Sequence, residues 1–179
     1  MATSTAKGGS ERYRDLFIVG VRNAHALEKQ ALSIMEPQLS RVENYPEVAE
    51  QLRSHIAETH GQIDRLDEIL ASFDTSASAL KEAALSVTGT MAALAHSVAG
   101  DEILKNSFAN YAFEHLEIAA YRSLITMAED GGFNGTTAAL GQSLKEEERM
   151  AQWIGESLPT ITRRYAQLYT QEGSFAAKV

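Results

Sequence analysis

The chain has 179 residues and no cysteine, and 16 Lys and Arg against 24 Asp and Glu give it a formal charge of −8. This length is that of one domain rather than two. The negative charge excludes a basic surface for nucleic acid or an anionic membrane, and the absence of cysteine excludes disulfides, thiolate nucleophiles and thiolate-ligated metals. Any metal must therefore be held by oxygen and imidazole.

The N-terminal part of the chain predicts one helical hairpin. Residues 1–10, MATSTAKGGS, are small and polar, and they are expected to be a disordered tail without the apolar core of a signal peptide. From Ser10 to about Leu39, apolar or small residues recur every three or four positions and predict a long amphipathic helix. A second helix is predicted to begin at Pro46 and to end near residue 73.

The C-terminal part predicts a second hairpin after a long connection. Residues 74–100 are rich in Ser, Thr and Ala and are expected to form a crossover that contains short helices. A third helix is predicted from an N-cap at Asp101 to the Gly131-Gly132 stop, with an apolar stripe that includes Phe108 and Tyr111. A fourth is predicted to begin near residues 134–137 and to end at Pro159. Residues 159–179 are expected to add a short helix and a frayed end.

This order of elements predicts an all-α fold. Two helical hairpins joined by one long crossover are the connection of ferritin-like four-helix bundles, and the bundle is predicted to cover residues 11–158. No apolar run approaches the roughly 18 to 20 residues that span a membrane. We therefore expect a cytoplasmic protein.

Every predicted helix also places a carboxylate on or beside its apolar face. Glu28 and Glu147 occupy stripe centres where leucine is expected, and Glu58 lies at the edge of its stripe, one turn from His55. An isolated ionised carboxylate in a bundle core costs several kcal/mol, so such groups are protonated, paired or bound to a cation. Pairing with bases looks insufficient, because few lie near these faces: Arg65, Arg122 and Arg149.

Two metal ions shared among four helices would neutralise these carboxylates. The predicted ligands are Glu28, His55, Glu58, Glu114, Glu117 and Glu147. Glu58 is expected to bridge the ions together with Glu117 or Glu147, and Gln62 is expected to orient Glu58. Di-iron bundles usually carry two Glu-x-x-His pairs, so this site would be richer in carboxylate than usual.

Each predicted ligand has a structural alternative. A buried glutamate can be satisfied by Arg or Tyr, and His55 can be a hydrogen-bonded histidine at a helix seam. Glu146 and Glu148 are expected to be solvated. Tyr111 and Tyr121 are expected in the core, where either could donate a hydrogen bond to a ligand carboxylate. The other histidines are weaker candidates, with flank, interface or structural positions expected: His25, His60, His96 and His115.

Four ordered segments resemble the bacterial stress-associated ferritin-like family whose named members are YciE and YciF. They are ALEKQAL (26–32), HIAETHGQIDRLDEIL (55–70), YAFEHLEIAAYRSLITMAEDGG (111–132) and LKEEERM (144–150). The resemblance covers roughly residues 12–158 and implies a ferritin-like bundle, commonly dimeric, with a di-metal site similar to that of rubrerythrins. What it implies for the site agrees with the stripe argument at Glu28, Glu58, Glu114, Glu117 and Glu147.

These features predict a di-metal carboxylate protein with iron as its cofactor, manganese or mixed metals being alternatives. An oxidoreductase that reacts with peroxide or dioxygen in stress defence would follow, with no catalytic residue identified beyond the ligands. The partners expected are a second copy of the chain and an external reductant. The alternative function is a non-catalytic dimeric bundle that binds metal statically or acts as a structural module. Mineral storage is less favoured, because the crossover and C-terminal extension indicate a small oligomer.

Overall fold

Four long helices make up most of the described residues, and they confirm the predicted all-α, ferritin-like bundle. The computed structural model describes residues 2–77 and 100–178. The helices are α1 (Ala2–Arg41), α2 (Pro46–Ser72), α3 (Glu102–Gly131) and α4 (Thr137–Glu172), with a 3-10 turn at Asn134–Thr136 and a short α5 (Ser174–Lys178). The predicted crossover at residues 74–100 lies mostly outside the described residues. Within the described part, no helix is both long and apolar enough to cross a membrane.

The helices pack as two hairpins side by side. α1 packs along α2 and α3 packs along α4, and further contacts of α1 with α3 and of α2 with α4 close the bundle. Two apolar clusters fill its ends: one includes Phe17, Leu66 and Leu124, and the other includes Leu52 and Ile154. Each long helix contributes to both clusters, and between them each helix turns a polar residue inward. The bundle core is therefore apolar at both ends and polar in the middle.

Glycine ends α3 as the sequence predicts. Gly132 has φ of 75°, in the left-handed region that favours a residue without Cβ, and Phe133 N–H donates to the Ala128 carbonyl at 2.7 Å. Asp101 occupies the N-cap position of α3, but its carboxylate makes an ion pair with Lys105 at 2.8 Å and does not bond the helix amides.

Two predicted helix ends are wrong. α1 begins at Ala2, whereas the prediction began the helix at Ser10, and no proline interrupts the intervening residues. α4 continues through Pro159 to Glu172, whereas the prediction ended it at Pro159. A proline inside a helix removes one backbone hydrogen bond, and here the burial of Ile161 and Leu168 in the core beyond it offsets that cost.

The outward face of α3 is more apolar than predicted. Phe108 and Tyr111 are 56% and 36% exposed, although the stripe placed both inward. The buried face instead carries polar residues, among them Asn110, which exchanges side-chain hydrogen bonds of 2.8 and 3.2 Å with Gln38 of α1. Because α3 carries apolar residues on both faces, its hydrophobic pattern could not indicate which face is inside.

The C-terminal residues close one end of the bundle. The Tyr45 hydroxyl donates to the Ala177 carbonyl at 2.6 Å, and Ala177 is fully buried. Glu102, at the start of α3, is also buried and accepts ion pairs from Arg41 at 2.8 Å and Lys178 at 3.2 Å. These contacts fix α5 against the beginnings of α2 and α3.

Candidate metal centre

The polar middle of the bundle gathers five of the six predicted ligands. They are buried to 2% exposure or less: Glu28 of α1, His55 of α2, Glu114 and Glu117 of α3, and Glu147 of α4. Side chains three residues apart on a helix share one face, so Glu114 and Glu117 both point inward. On α2 the inward line is His55, Thr59 and Gln62, all of which are buried.

Three of these side chains already form a compact ligand set. His55 Nε2 lies 3.3 Å from Glu114 Oε2 and 3.5 Å from Glu147 Oε2. One ligand atom from each of the three residues lies within 4.8 Å of the other two. Imidazole with two carboxylates is a donor set that suits iron, zinc and related divalent ions.

Glu58 lies beside the centre and not within it. Its side chain is 28% exposed, its Oε2 lies 3.2 Å from His55 Nδ1, and its Oε1 accepts a hydrogen bond of 2.8 Å from Arg149. The hydrogen bond with His55, and after it Arg149, hold the pKa of Glu58 below its usual value. A carboxylate that accepts from one imidazole nitrogen orients the other toward a metal, so this position favours an orienting role over the predicted bridging role.

The two oxygens of the Glu147 carboxylate contact different residues of α2. Its Oε2 faces His55, and its Oε1 accepts a short hydrogen bond from the Gln62 amide nitrogen. The sequence predicted that Gln62 orients Glu58. That prediction is wrong, because Gln62 lies two turns beyond His55 and contacts Glu147 instead. The Gln62 Oε1 atom is buried without a hydrogen-bond partner.

Glu28 and Glu117 complete the inner set. The Tyr121 hydroxyl donates to Glu28 Oε1 at 2.5 Å, which confirms one of the two predicted tyrosine contacts. Tyr111 instead packs edge-on against His115 on the outside of α3. The second oxygen of Glu28 and both oxygens of Glu117 are buried without partners. Buried carboxylate oxygens without a partner are rare and costly in free energy, and a bound cation would satisfy them.

Burial and mutual repulsion shift the protonation of the inner carboxylates. Burial, followed by the Glu147 carboxylate, raises the pKa of Glu28 to about 8. Burial also raises the pKa of Glu147 to about 7, despite the opposing hydrogen bond with His55. For Glu117, burial and the neighbouring carboxylates of Glu28, Glu147 and Glu114 raise the pKa well above 4.5. Without a cation, the centre therefore retains protons that a bound metal would displace.

The nearby bases are all engaged by other carboxylates. Arg65 pairs with Glu146 and also donates to Ser143 at 3.0 Å, while Arg122 pairs with Glu148 at 2.7 Å. The prediction that Glu146 is solvated is therefore wrong, since Arg65 reaches across from α2 to a carboxylate that is 7% exposed. Arg149 binds Glu58. Among the described residues, no Lys or Arg forms an ion pair with the inner glutamates Glu28, Glu114, Glu117 and Glu147.

The remaining described histidines lie outside the centre. His25 Nε2 lies 3.3 Å from Asp67 Oδ1, His60 is exposed, and His115 lies on the outer side of α3 against Tyr111. His96 lies outside the described residues. Of the predicted candidates, His55 is thus the imidazole that the described structure brings to the inner carboxylates.

Comparisons with known proteins agree with this fold. The family model described as Domain of unknown function (DUF892) matches residues 12–167. Protein YciF of Escherichia coli strain K12 is 27% identical over 141 residues, which cover 75% of this chain and 82% of that protein.

Solved structures give the same result. A crystal structure of a protein from Xanthomonas campestris pv. campestris superposes with a TM-score of 0.74 at 27% identity, over 88% of this chain and 99% of that one. The crystal structure of the E. coli stress protein YciF superposes with a TM-score of 0.69 at 25% identity, over 82% of this chain and 94% of that one. These matches confirm the resemblance seen in the sequence, and the chain belongs to the DUF892 family of YciE/YciF-like proteins.

Proposed function

We propose that this chain is a di-metal carboxylate protein, with two iron ions as its resident metals, that reduces hydrogen peroxide or dioxygen. The observation that carries the proposal is the set of four inner glutamates, all buried and all without a Lys or Arg ion-pair partner in the described structure. Four ionised carboxylates balance the charge of two divalent ions. The same set without metal must stay partly protonated, so the donors fit two ions better than one.

The chain's own residues supply binding, orientation and a dry environment. Bound iron would supply reversible one-electron oxidation and open coordination positions for a small oxidant. Glu58 orients His55, Gln62 orients Glu147, and the two apolar clusters keep water away from the ends of the polar layer. The Tyr121 hydroxyl oxygen lies 2.5 Å from Glu28 Oε1 and donates its proton to that oxygen.

The reaction needs electrons that the described residues do not supply. Reduction of one hydrogen peroxide to two waters consumes two electrons and two protons, and the chain has no cysteine with which to hold an iron–sulfur donor. An external reductant is therefore part of the proposal. The similarity to a stress protein supports a role in stress defence, and a reducing cytoplasm would keep iron in the ferrous state that loads the site.

The test is metal loading followed by turnover. Protein treated with a chelator and then reconstituted anaerobically with ferrous iron should hold two ions per chain, and it should consume peroxide when a reductant is supplied. Arg53→Ala, on the exposed side of α2, is the matched control and should load and react as the wild type does. Failure to take up iron would refute the proposal. Two bound ions without peroxide or dioxygen consumption would favour static metal binding.

We also propose a homodimer through the outer face of α3. The exposed residues from Phe108 to Ala119 on this face include no Asp, Glu, Lys or Arg, and among them are Tyr111 and Leu116, which are 36% and 39% exposed. An exposed apolar strip without Asp, Glu, Lys or Arg can pack against a second copy of itself without bringing like charges together, which favours a symmetric contact despite the net charge of −8. Light scattering should report a dimer for the wild type and a monomer for Phe108→Glu, whereas the exposed control Ser123→Glu should remain dimeric.

A further inference from the structure

The two halves of the polar centre differ in their donor atoms. The histidine half consists of His55, Glu114 and the Oε2 oxygen of Glu147. The oxygen half consists of Gln62 and the Oε1 oxygen of Glu147, which are in contact, together with Glu28 and Glu117, whose carboxylates repel each other and Glu147 electrostatically. On α2 the backbone positions of His55 and Gln62 are seven residues apart, about 10 Å along the helix axis, and their side chains converge on the Glu147 carboxylate. Glu147 faces each half with a different oxygen.

The histidine half is already assembled. Its ligand atoms lie within 4.8 Å of one another, and His55 is fixed from behind by Glu58, which Arg149 in turn fixes at 2.8 Å. A site whose ligands are held before binding loses little conformational entropy when an ion enters. This half also contains the imidazole, which raises affinity for ions such as zinc, cobalt and iron.

The oxygen half offers a different chemistry. Its donors are carboxylates and one amide carbonyl, and Gln62 Oε1, buried and unpartnered, is the neutral one. The described structure brings no imidazole here, and the Tyr121 hydroxyl already occupies one oxygen of Glu28. Carboxylate and carbonyl oxygens suit harder ions such as manganese and magnesium.

Building on the proposed di-metal function, we propose that the centre is asymmetric: the histidine half binds the first, tighter ion, and the oxygen half binds a second, harder ion with Gln62 as its neutral ligand. Glu147 serves both ions, one through each oxygen. The Glu-x-x-Glu pair of α3 is divided, because Glu114 faces His55 whereas Glu117 lies one turn nearer to the Tyr121 end.

Ordered loading with two different metals tests this assignment. Metal-free protein given one equivalent of zinc and then manganese should bind one of each per chain, and the manganese should show the six-line electron paramagnetic resonance spectrum of an isolated ion. Titration calorimetry should give a first zinc affinity at least about tenfold higher than the second, a difference of about 1.4 kcal/mol.

Two variants separate the halves. Gln62→Leu should retain the first zinc and weaken manganese binding by about 10- to 100-fold, while His55→Leu should lose the tight zinc site. Gln142→Leu, a surface glutamine on α4, is the matched control and should behave as the wild type does. Circular dichroism and thermal unfolding establish that each variant is folded.

The possible results distinguish this inference from the function on which it rests. Equal affinity for the first and the second zinc ion in the wild type would overturn the asymmetry and leave a symmetric di-metal centre. Equal weakening of zinc and manganese binding in Gln62→Leu would do the same. Protein that binds neither zinc nor manganese would overturn both proposals. Zinc bound at one site with no manganese taken up would refute the oxygen half as a metal site.

Discussion

Two regions of the bundle interior differ in what they bury: one encloses aromatic rings and the other encloses carboxylates. At one end, Phe17, Phe73 and Phe133 pack with ring centroids 5.0–5.5 Å apart, above Leu66 and Leu70. We call this set the aromatic end. In the middle, the inner glutamates bring like charges together and leave buried oxygens unpartnered, and we call the region that they form with His55 and Gln62 the polar layer. The aromatic end stabilises the fold through burial, whereas the carboxylates of the polar layer lower the stability of the fold when no cation is bound.

Replacing Glu147 with leucine should give the largest effect of any single change in the polar layer. Because Glu147 contacts both halves through different oxygens, Glu147→Leu should reduce the affinity for both ions by more than about 100-fold. The free energy of unfolding of metal-free protein should stay the same or rise by about 1–4 kcal/mol, since a desolvated charge is replaced by an apolar side chain. Metal analysis and urea unfolding measure the two effects.

A neighbouring glutamate provides the control for this change. Glu148→Leu removes an adjacent carboxylate that pairs with Arg122 at the surface, and it should leave metal binding unchanged. If metal-free Glu147→Leu unfolds several kcal/mol more easily than the wild type, Glu147 is part of a stabilising network, and the contrast between the two core regions does not hold.

Phe17→Ala should show the opposite behaviour at the aromatic end. Removing a fully buried ring that contacts two others leaves a cavity, and the free energy of unfolding should fall by about 3–5 kcal/mol with or without metal. Under conditions where the variant is folded, it should still bind two ions per chain. Urea unfolding with and without a chelator checks this, and Leu16→Ala, at an exposed neighbouring position, should cost less than about 0.5 kcal/mol.

The difference between these regions also explains what the sequence could predict. Phe17, Val21 and Leu66 are buried as their spacing indicates, because an apolar stripe on an amphipathic helix has one favourable orientation. Glu28 and Glu147 were identifiable because they interrupt such stripes. On α3 the rule failed for Phe108 and Tyr111, since that helix has apolar residues on both faces and its inward face is partly polar.

The sequence could not predict which side chains from different helices contact each other. Whether Gln62 meets Glu58 or Glu147, and whether Arg65 reaches Glu146, depends on the rotation and axial offset of α2 against α4, which hydrophobic spacing does not determine. One sequence signal did exist: Ser143 lies on the apolar stripe of α4, between Leu140 and Glu147. A small polar residue on an inward face leaves room for a long side chain from a neighbouring helix, here Arg65. The same geometry places Glu58 beside His55, which favours an orienting role for Glu58 over the predicted bridging role.

A change of pH should separate the metal-free protein from the metal-bound protein. Folding raises the pKa of Glu28 to about 8 and that of Glu147 to about 7, so the folded state holds more protons than the unfolded chain between pH 5 and 8. The contribution of these two carboxyl groups to the free energy of unfolding is fully present below pH 4.5, and it is lost as the pH rises through their pKa values in the folded state. Burial alone would lower the pKa of His55, but the neighbouring carboxylates of Glu114, Glu147 and Glu58 outweigh it and raise this pKa, so its contribution has the same sign.

The stability of the metal-free protein and the extra stability conferred by metal should change in opposite directions as the pH rises. Between pH 5 and 8 the free energy of unfolding of metal-free protein should fall by more than about 1.4 kcal/mol, the equivalent of one pKa unit. The extra stability conferred by added metal should rise over the same range, because ligands must lose protons to bind. Thermal unfolding with chelator and with excess manganese measures both, and Glu147→Leu should flatten both slopes. A metal-free protein whose stability rises over this range would contradict the assignment.

Tyr121→Phe should give the smallest effect and indicate how far the polar layer depends on its apolar border. Tyr121 belongs to both regions, because its ring packs in the apolar cluster and its hydroxyl donates to Glu28 at 2.5 Å. Removing the hydroxyl leaves a Glu28 oxygen without its donor, so metal-free protein should lose about 1–3 kcal/mol of unfolding free energy. In metal-bound protein the loss should be smaller, since an ion can bind the oxygen that the phenol releases. Tyr165→Phe, at a half-buried position with a longer hydrogen bond of 3.3 Å to the Gly100 carbonyl, should cost less than about 1 kcal/mol in both states. If metal does not reduce the cost of Tyr121→Phe, Glu28 is held by the phenol alone and is not a ligand, which would leave the oxygen half one carboxylate short of a metal site.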